Sequence, residues 1–283
     1  MTGGQGLVWL ASYPKSGNTW FRVILANLTI GPGRAATINE APAYSGFAAS
    51  RGAFERAAPL ESTLLFDDDI DTLRPGMFQH VAQDAERPIW IKVHDAFTRL
   101  ADGQPLLGTS AHAAIYLIRD PRDVVVSLAH FNGSSIDEAI TRLNSTRASL
   151  SVDRLGAPPQ LRQKLLDWSG HANSWLSQIS VPVLTIRYED LKMRTEAEIA
   201  RALAFVGQDA APDDVACAVA NAAFEKLQRQ EREEGFIEQA PGVAPFFRAG
   251  RAGAWREILS AEQRARIESA HAPMMDRFGY ARG

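Results

Sequence analysis

The chain has 283 residues, 46% hydrophobic and 22% charged, the proportions of a folded globular protein. That apolar content excludes a disordered tail protein, and 21 Gly and 15 Pro without a triplet period exclude a collagen-like chain. A single cysteine, Cys217, excludes an intramolecular disulfide and a cysteine-only metal cluster, while 30 basic against 33 acidic residues, net charge −3, argue against sequence-independent nucleic-acid binding but leave room for one local basic cluster.

In chain order, residues 1–6 are polar and Gly-rich with no basic run. Residues 7–11 (LVWLA) form an apolar run of strand length, too short for the core of a signal peptide. Residues 19–28 carry Trp20, Val23, Ile24 and Asn27 at helical spacing, and Arg22 and Asn27 make the stretch 20–30 too polar to span a bilayer. A cytoplasmic protein with no membrane partner is the expectation. Residues 63–66 (TLLF) read as a weaker strand, and 89–93 (IWIKV), 114–118 (AIYLI) and 183–186 (VLTI) as stronger ones. Helices are expected over 121–131, opened by Pro121, and over 161–179, 195–206 and 262–277. Near-continuous apolar strands alternating with helices predict a doubly wound α/β fold with a parallel sheet of about five strands. Three aperiodic segments, 31–58, 145–159 and 229–253, have the length of lids or binding loops. A single domain over residues 1–283 is expected.

Tyr13-Pro14-Lys15-Ser16-Gly17-Asn18-Thr19-Trp20 lies between the first strand and the first helix. A helix start offers unpaired N–H groups and the positive end of the dipole, which suits an anion. Gly17 admits close backbone approach, Lys15 adds charge, and Ser16 and Thr19 add hydroxyls. The lysine precedes the glycine, unlike the usual P-loop of kinases, where it follows the second one. By itself the segment reads equally as a capped turn with Lys15 exposed. Ile118-Arg119-Asp120-Pro121-Arg122-Asp123-Val124 repeats the arrangement after a later strand, with Ser127 beyond. Arg119 and Ser127 can hold a phosphate at the carboxyl edge of the sheet, or Arg119 can pair with Asp123 at the helix start.

Together these segments resemble the sulfotransferases that use 3′-phosphoadenosine 5′-phosphosulfate (PAPS). YPKSGNTW is similar to their 5′-phosphosulfate loop and IRDPRDVVVS to their 3′-phosphate element. Phe247-Arg248-Ala249-Gly250-Arg251-Ala252-Gly253-Ala254-Trp255-Arg256 is similar to their C-terminal R-K-G-x-x-G-D-W-K stretch, and the three keep the family's order. The resemblance implies a P-loop-like three-layer fold. It implies that Lys15, Ser16, Gly17, Asn18 and Thr19 hold the 5′-phosphosulfate and that Arg119, Ser127, Arg248, Ala249 and Gly250 surround the 3′-phosphate. It also implies that Trp20, Tyr188 and Phe224 surround the adenine. Here Ala249 replaces a lysine and Ala254 an acidic residue, so Arg251 is the candidate for the missing charge. The family's dimerisation motif is not recognisable, so a homodimer stays an open possibility of the family alone.

Lys92-Val93-His94 resembles the family's K-T-H at a strand end. Sulfuryl transfer to an alcohol or amine requires an acceptor proton to leave, and His titrates near neutral pH. Strand alternation puts Lys92 and His94 on one side and Asp95 on the other. His94 is therefore the expected base, with Lys15 and Lys92 stabilising developing charge. The remaining histidines show no metal spacing, Asp67-Asp68-Asp69 reads as a solvated loop or helix start, and no metal is expected. The resulting expectation is in-line transfer from PAPS, releasing 3′-phosphoadenosine 5′-phosphate (PAP), to a small-molecule acceptor. A P-loop kinase, or a nucleotide-binding module without transfer activity, are the alternatives.

Overall fold

The computed structural model describes residues 6–58, 60–83, 85–151, 159–239 and 245–281. Parts of two expected loops, 152–158 and 240–244, lie outside them. The elements in order are β1 (Gly6–Ser12), α1 (Asn18–Ile30), β2 (Gly46–Phe47), α2 (Arg51–Ala57), α3 (Asp67–Gln83), β3 (Pro88–Val93), β4 (Ala111–Ile118) and α4 (Pro121–Asn132). They continue with α5 (Ile136–Leu143), β5 (Ser149–Leu150), β6 (Gln163–Lys164), α6 (Trp168–Ser177), β7 (Val183–Arg187), α7 (Tyr188–Met193) and α8 (Thr195–Phe205). The last are α9 (Pro212–Asn221), α10 (Phe224–Glu234), α11 (Trp255–Ile258) and α12 (Ala261–Arg277).

Five strands pair in parallel in the order β2-β3-β1-β4-β7, while β5 and β6 form a small antiparallel ribbon. β1 is buried along its whole length because both faces are covered. Leu7, Trp9 and Ala11 pack with Phe78, Tyr116, Trp168 and Trp175 on one face. Val8 and Leu10 pack with Phe21, Ile24, Ile115 and Ile199 on the other. The period of two along the strand thus divides one apolar run between two cores.

The chain leaves β1 for β3 on one side and later adds β4 on the other, so the order reverses at β1. Open α/β sheets bind ligands at the carboxyl ends of such strands. The register sets Ala11 beside Val93 and Ser12 beside Leu117, which brings the segments after β1, β3 and β4 together.

Helix boundaries follow local chemistry. Gly17, at φ 99°, stops the preceding turn and lets α1 begin at Asn18. Asp120 caps α4 by accepting from Arg122 N, with Pro121 at the first position. Ser260 and Gln263 form a capping box on α12.

Four expectations are corrected. Residues 63–66 are not a strand: Ser62–Leu64 is a 3₁₀ turn, and Leu64 and Phe66 are exposed. The fifth strand is Gly46–Phe47, drawn from a segment read as loop, because β3 offers it an edge. The helix expected over 161–179 covers only Trp168–Ser177, since Leu161 N and Leu165 N donate to Ala49 and Ala148 carbonyls and Asp167 caps the helix. Such long-range backbone pairing outweighs local periodicity. The segment 229–253 is likewise partly helical, as α10 runs to Glu234. Asp67, Asp68 and Asp69 open α3, with Asp68 paired to Arg162.

Candidate active site

A cavity of about 540 Å³ opens at the carboxyl ends of β1, β3 and β4. Its lining includes Lys15, Gly17, Asn18, Thr19 and Trp20, Lys92 and His94, Arg119 and Ser127, Tyr188, and Arg248, Ala249 and Gly250. Ser16 and Phe224 stand behind that wall. Ser16 is fully buried, and its Oγ has no hydrogen-bond partner among the described residues. Phe224 meets the wall through Gly250, whose backbone presses on its ring.

Glycine is required at two points of contact. A Cβ on Gly17 would lie 2.7 Å from the Tyr188 ring, and one on Gly250, at φ 57°, 2.4 Å from the Phe224 ring. Both aromatic rings therefore sit directly on backbone. Trp20 donates Nε1–H to the Ala222 carbonyl at 2.9 Å and stands edge-on to Tyr188 at 6.3 Å. The Lys192 ammonium lies over Trp20 at 4.8 Å and Phe224 at 5.9 Å.

Arg119 does not pair with Asp123. It donates to the Lys15 carbonyl at 3.1 Å and the Arg251 carbonyl at 3.2 Å, and its guanidinium stacks 4.3 Å from the Tyr188 ring. Its buried Nε has no partner among the described residues. Arg119 thus ties the first loop to the C-terminal one. Asp123 does the same from α4, accepting from Gly253 N and Trp255 N. Gln228 and Glu231 hold the C-terminal loop on α10 through the backbone of Phe246, Phe247 and Arg248. Arg251 lines the cavity, but its side chain pairs with Glu257.

His94 Nδ1 lies 2.8 Å from the Ser12 carbonyl, an acceptor only, so Nδ1 carries the proton and donates. Ser12 Oγ is 3.3 Å from the same nitrogen and accepts from Asn18 Nδ2 at 3.2 Å. Asn18 thereby braces the end of β1 that holds His94. Nε2 makes no hydrogen bond among the described residues, and its lone pair is available. Burial, then the neighbouring Lys92 charge, pushes the His94 pKa down to about 3, so the ring is neutral at neutral pH. Asp95 points away and forms a buried two-bond pair with Arg74, at 2.7 and 3.2 Å. His171 fixes the His94 backbone: Nε2 lies 3.0 Å from the His94 carbonyl, and Nδ1 lies 2.9 Å from the Tyr116 hydroxyl.

The two lysines are held differently. Lys92 Nζ pairs with Glu238 at 3.1 Å, and Glu238 pairs with Arg22 at 2.6 Å. These cations hold the Glu238 carboxyl down at about 2 despite its burial. Lys15 Nζ lies over the rings of Phe131, at 4.1 Å, and Phe246, at 3.6 Å. Burial, then Arg119 and Lys92, lowers its pKa to about 7. Sequence reading missed Glu238, Asp123, His171 and Phe246. Glu238 and Phe246 lay in a segment read as a lid or binding loop with neither of them singled out there, Asp123 was weighed only as a partner for Arg119, and His171 falls in a helix with no motif.

No helix among the described residues is long and apolar enough to cross a membrane. A family model described as "Sulfotransferase domain" matches residues 5–279. Sulfotransferase 1A1 of Rattus norvegicus is 25% identical over 279 residues, covering 94% of this chain and 83% of that protein. Sulfotransferase 2B1 of Homo sapiens is 22% identical over 282 residues, covering 95% and 66%. The crystal structure of retinol dehydratase with androsterone and inactive cofactor PAP matches the fold with a TM-score of 0.61 at 20% identity, covering 95% of this chain and 80% of that one. The family match spans the strands, the cavity and all three loops, and on it the chain belongs to the sulfotransferase family, with sulfuryl transfer rather than a nucleotide kinase's phosphoryl transfer as its chemistry.

Proposed function

We propose that the chain is one sulfotransferase domain, cytoplasmic in location, that uses PAPS and passes its sulfuryl group in line to a hydroxyl or amine, with His94 as base. The carrying observation is the single cavity that joins the loop after β1, the Lys92–His94 strand end, Arg119 with Ser127, and Arg248 with Gly250. Residues 15–19 would hold the 5′-phosphosulfate at the start of α1. The unpartnered Ser16 Oγ and Arg119 Nε are the kind of buried polar atoms that an anion satisfies. Arg119, Ser127, Arg248 and the backbone at Ala249 and Gly250 would surround the 3′-phosphate. Trp20, Tyr188 and Phe224 would enclose the adenine, with Gly17 and Gly250 giving the rings room at the backbone. PAPS supplies an activated S–O bond, which breaks as the acceptor's new O–S or N–S bond forms.

The proton from the acceptor goes to His94 Nε2, since Nδ1 is committed to the Ser12 carbonyl. Lys92 lies beside it and offsets charge on the transferring group. Lys15 leaves its aromatic cage for the leaving phosphate, whose charge raises the lysine's pKa again. His94→Ala should lower turnover by about 10²–10⁴-fold, the scale of general-base loss, while PAP binding persists. Turnover within threefold of the parent would remove His94 from the chemistry.

A further inference from the structure

Part of the cavity wall carries none of the residues assigned to PAPS: Tyr13, Phe47, Arg142, Leu150, Ser151 and Leu165. Phe47, Leu150 and Leu165 are apolar and suit a hydrocarbon or aromatic body. Two polar groups stand among them. The Tyr13 hydroxyl is buried with no hydrogen-bond partner among the described residues. Burial pushes its pKa up, the Arg142 charge opposes that rise and the Asp167 charge adds to it, so the hydroxyl remains a donor at neutral pH. Arg142, on α5, gives one Nη2 hydrogen bond, 2.8 Å long, to the Ser149 carbonyl, and no carboxylate pairs with it among the described residues.

Arg142 is set apart from the other cations of the cavity. Lys92 is neutralised by Glu238 and Arg251 by Glu257. Lys15 is caged by Phe131 and Phe246, and Arg119 spans two backbone carbonyls. Lys15, Arg119 and Arg248 all have a phosphate or sulfate assigned to them above. Arg142 has no such partner, and the Tyr13 phenol in the same cavity wall is an unsatisfied buried donor. A guanidinium next to a fixed O–H is a receptor for a planar or tetrahedral oxyanion.

We infer that the acceptor carries an anionic oxygen group, a carboxylate or a phosphate, held by Arg142 and the Tyr13 hydroxyl while the acceptor's own hydroxyl meets His94 Nε2. The inference rests on the donor-site reading above. The substrate class is then a hydroxylated acid with an apolar spacer lying against Phe47, Leu150 and Leu165.

The test compares 4-hydroxyphenylalkanoic acids of increasing chain length with their methyl esters and with the matching phosphate monoesters, using PAPS as donor. The acids or the phosphates should be sulfated with kcat/KM about 10- to 100-fold above the esters, the range of a charged hydrogen bond. The member of the pair that wins identifies which oxyanion the site takes. Arg142→Leu should erase the preference and Arg142→Lys should keep part of it, with PAP affinity by calorimetry unchanged in both. Tyr13→Phe should cost a smaller part of the preference. Equal use of acids and esters, a preference that survives Arg142→Leu, or no sulfated acid or phosphate from an enzyme that binds PAP would overturn the inference. A parent protein that does not bind PAP would bring down the donor reading first, and this inference with it.

Discussion

On the side assigned to the donor, Lys15 to Thr19 and Arg119 to Ser127 follow β1 and β4 directly, and their backbones are set by the starts of α1 and α4. On the side assigned to the acceptor, Tyr13, Phe47, Arg142, Leu150 and Leu165 come from five separate places and meet only in the folded chain. The donor side relies on backbone: Gly17 and Gly250 touch aromatic rings where no side chain fits. The acceptor side relies on side chains, so substitution there can change the ligand without disturbing a turn. A scaffold of this kind keeps one donor and accommodates many acceptors.

The largest effect expected on the donor side is at Arg119. Arg119→Ala should weaken PAP about 10²-fold, as loss of charged hydrogen bonds does, yet change binding of adenosine 5′-phosphate less than threefold. Equal losses for the two nucleotides would mean that Arg119 acts by tying the loops at Lys15 and Arg251, and would blur the distinction between the two sides.

Gly250→Ala is the backbone test. Its Cβ would fall 2.4 Å from Phe224 at a positive φ, so a strain of about 1–3 kcal/mol is expected, read as roughly tenfold weaker PAP binding. Unchanged binding would show that the C-terminal loop gives way freely. The same substitution should leave any acid-over-ester preference intact, because Arg142 lies elsewhere.

Glu238→Gln is the smallest effect and the pH test. Burial already lowers the Lys92 pKa, and the Glu238 charge raises it. Removing that charge lowers Lys92 further, so Lys92 loses its proton at a lower pH. The alkaline limb of kcat/KM should then move to lower pH, and Glu238→Asp should restore much of it. A limb that stays in place would show that Lys92 is not charged through Glu238.

Much of the donor side is legible in sequence because its residues sit beside the strand–helix junctions that position them. The strand runs at 89–93 and 114–118 and the Pro121 helix start place His94 and Arg119 at one sheet edge by local pattern alone. The elements that were misread all depend on distant partners. Gly46–Phe47 becomes a strand because β3 has a free edge, and residues 161–167 leave helical geometry because Ala49 and Ala148 offer carbonyls. Leu64 and Phe66 are apolar but find no face to cover, so their run stays outside the sheet.

The sequence by itself determined the parallel α/β class, the loop-to-helix starts after β1 and β4, the His94–Lys92 strand end and the family resemblance. Period, spacing and turn chemistry act over a few residues and are written in order along the chain. Only the tertiary structure decided that Glu238 neutralises Lys92, that Phe131 and Phe246 cage Lys15, that Asp123 clamps the C-terminal loop, and that Arg142 and Tyr13 line one cavity. Each of these joins residues more than 100 positions apart or relies on burial. Charge partners and pKa values depend on through-space distance and on exclusion of water, and neither is written in the order of residues.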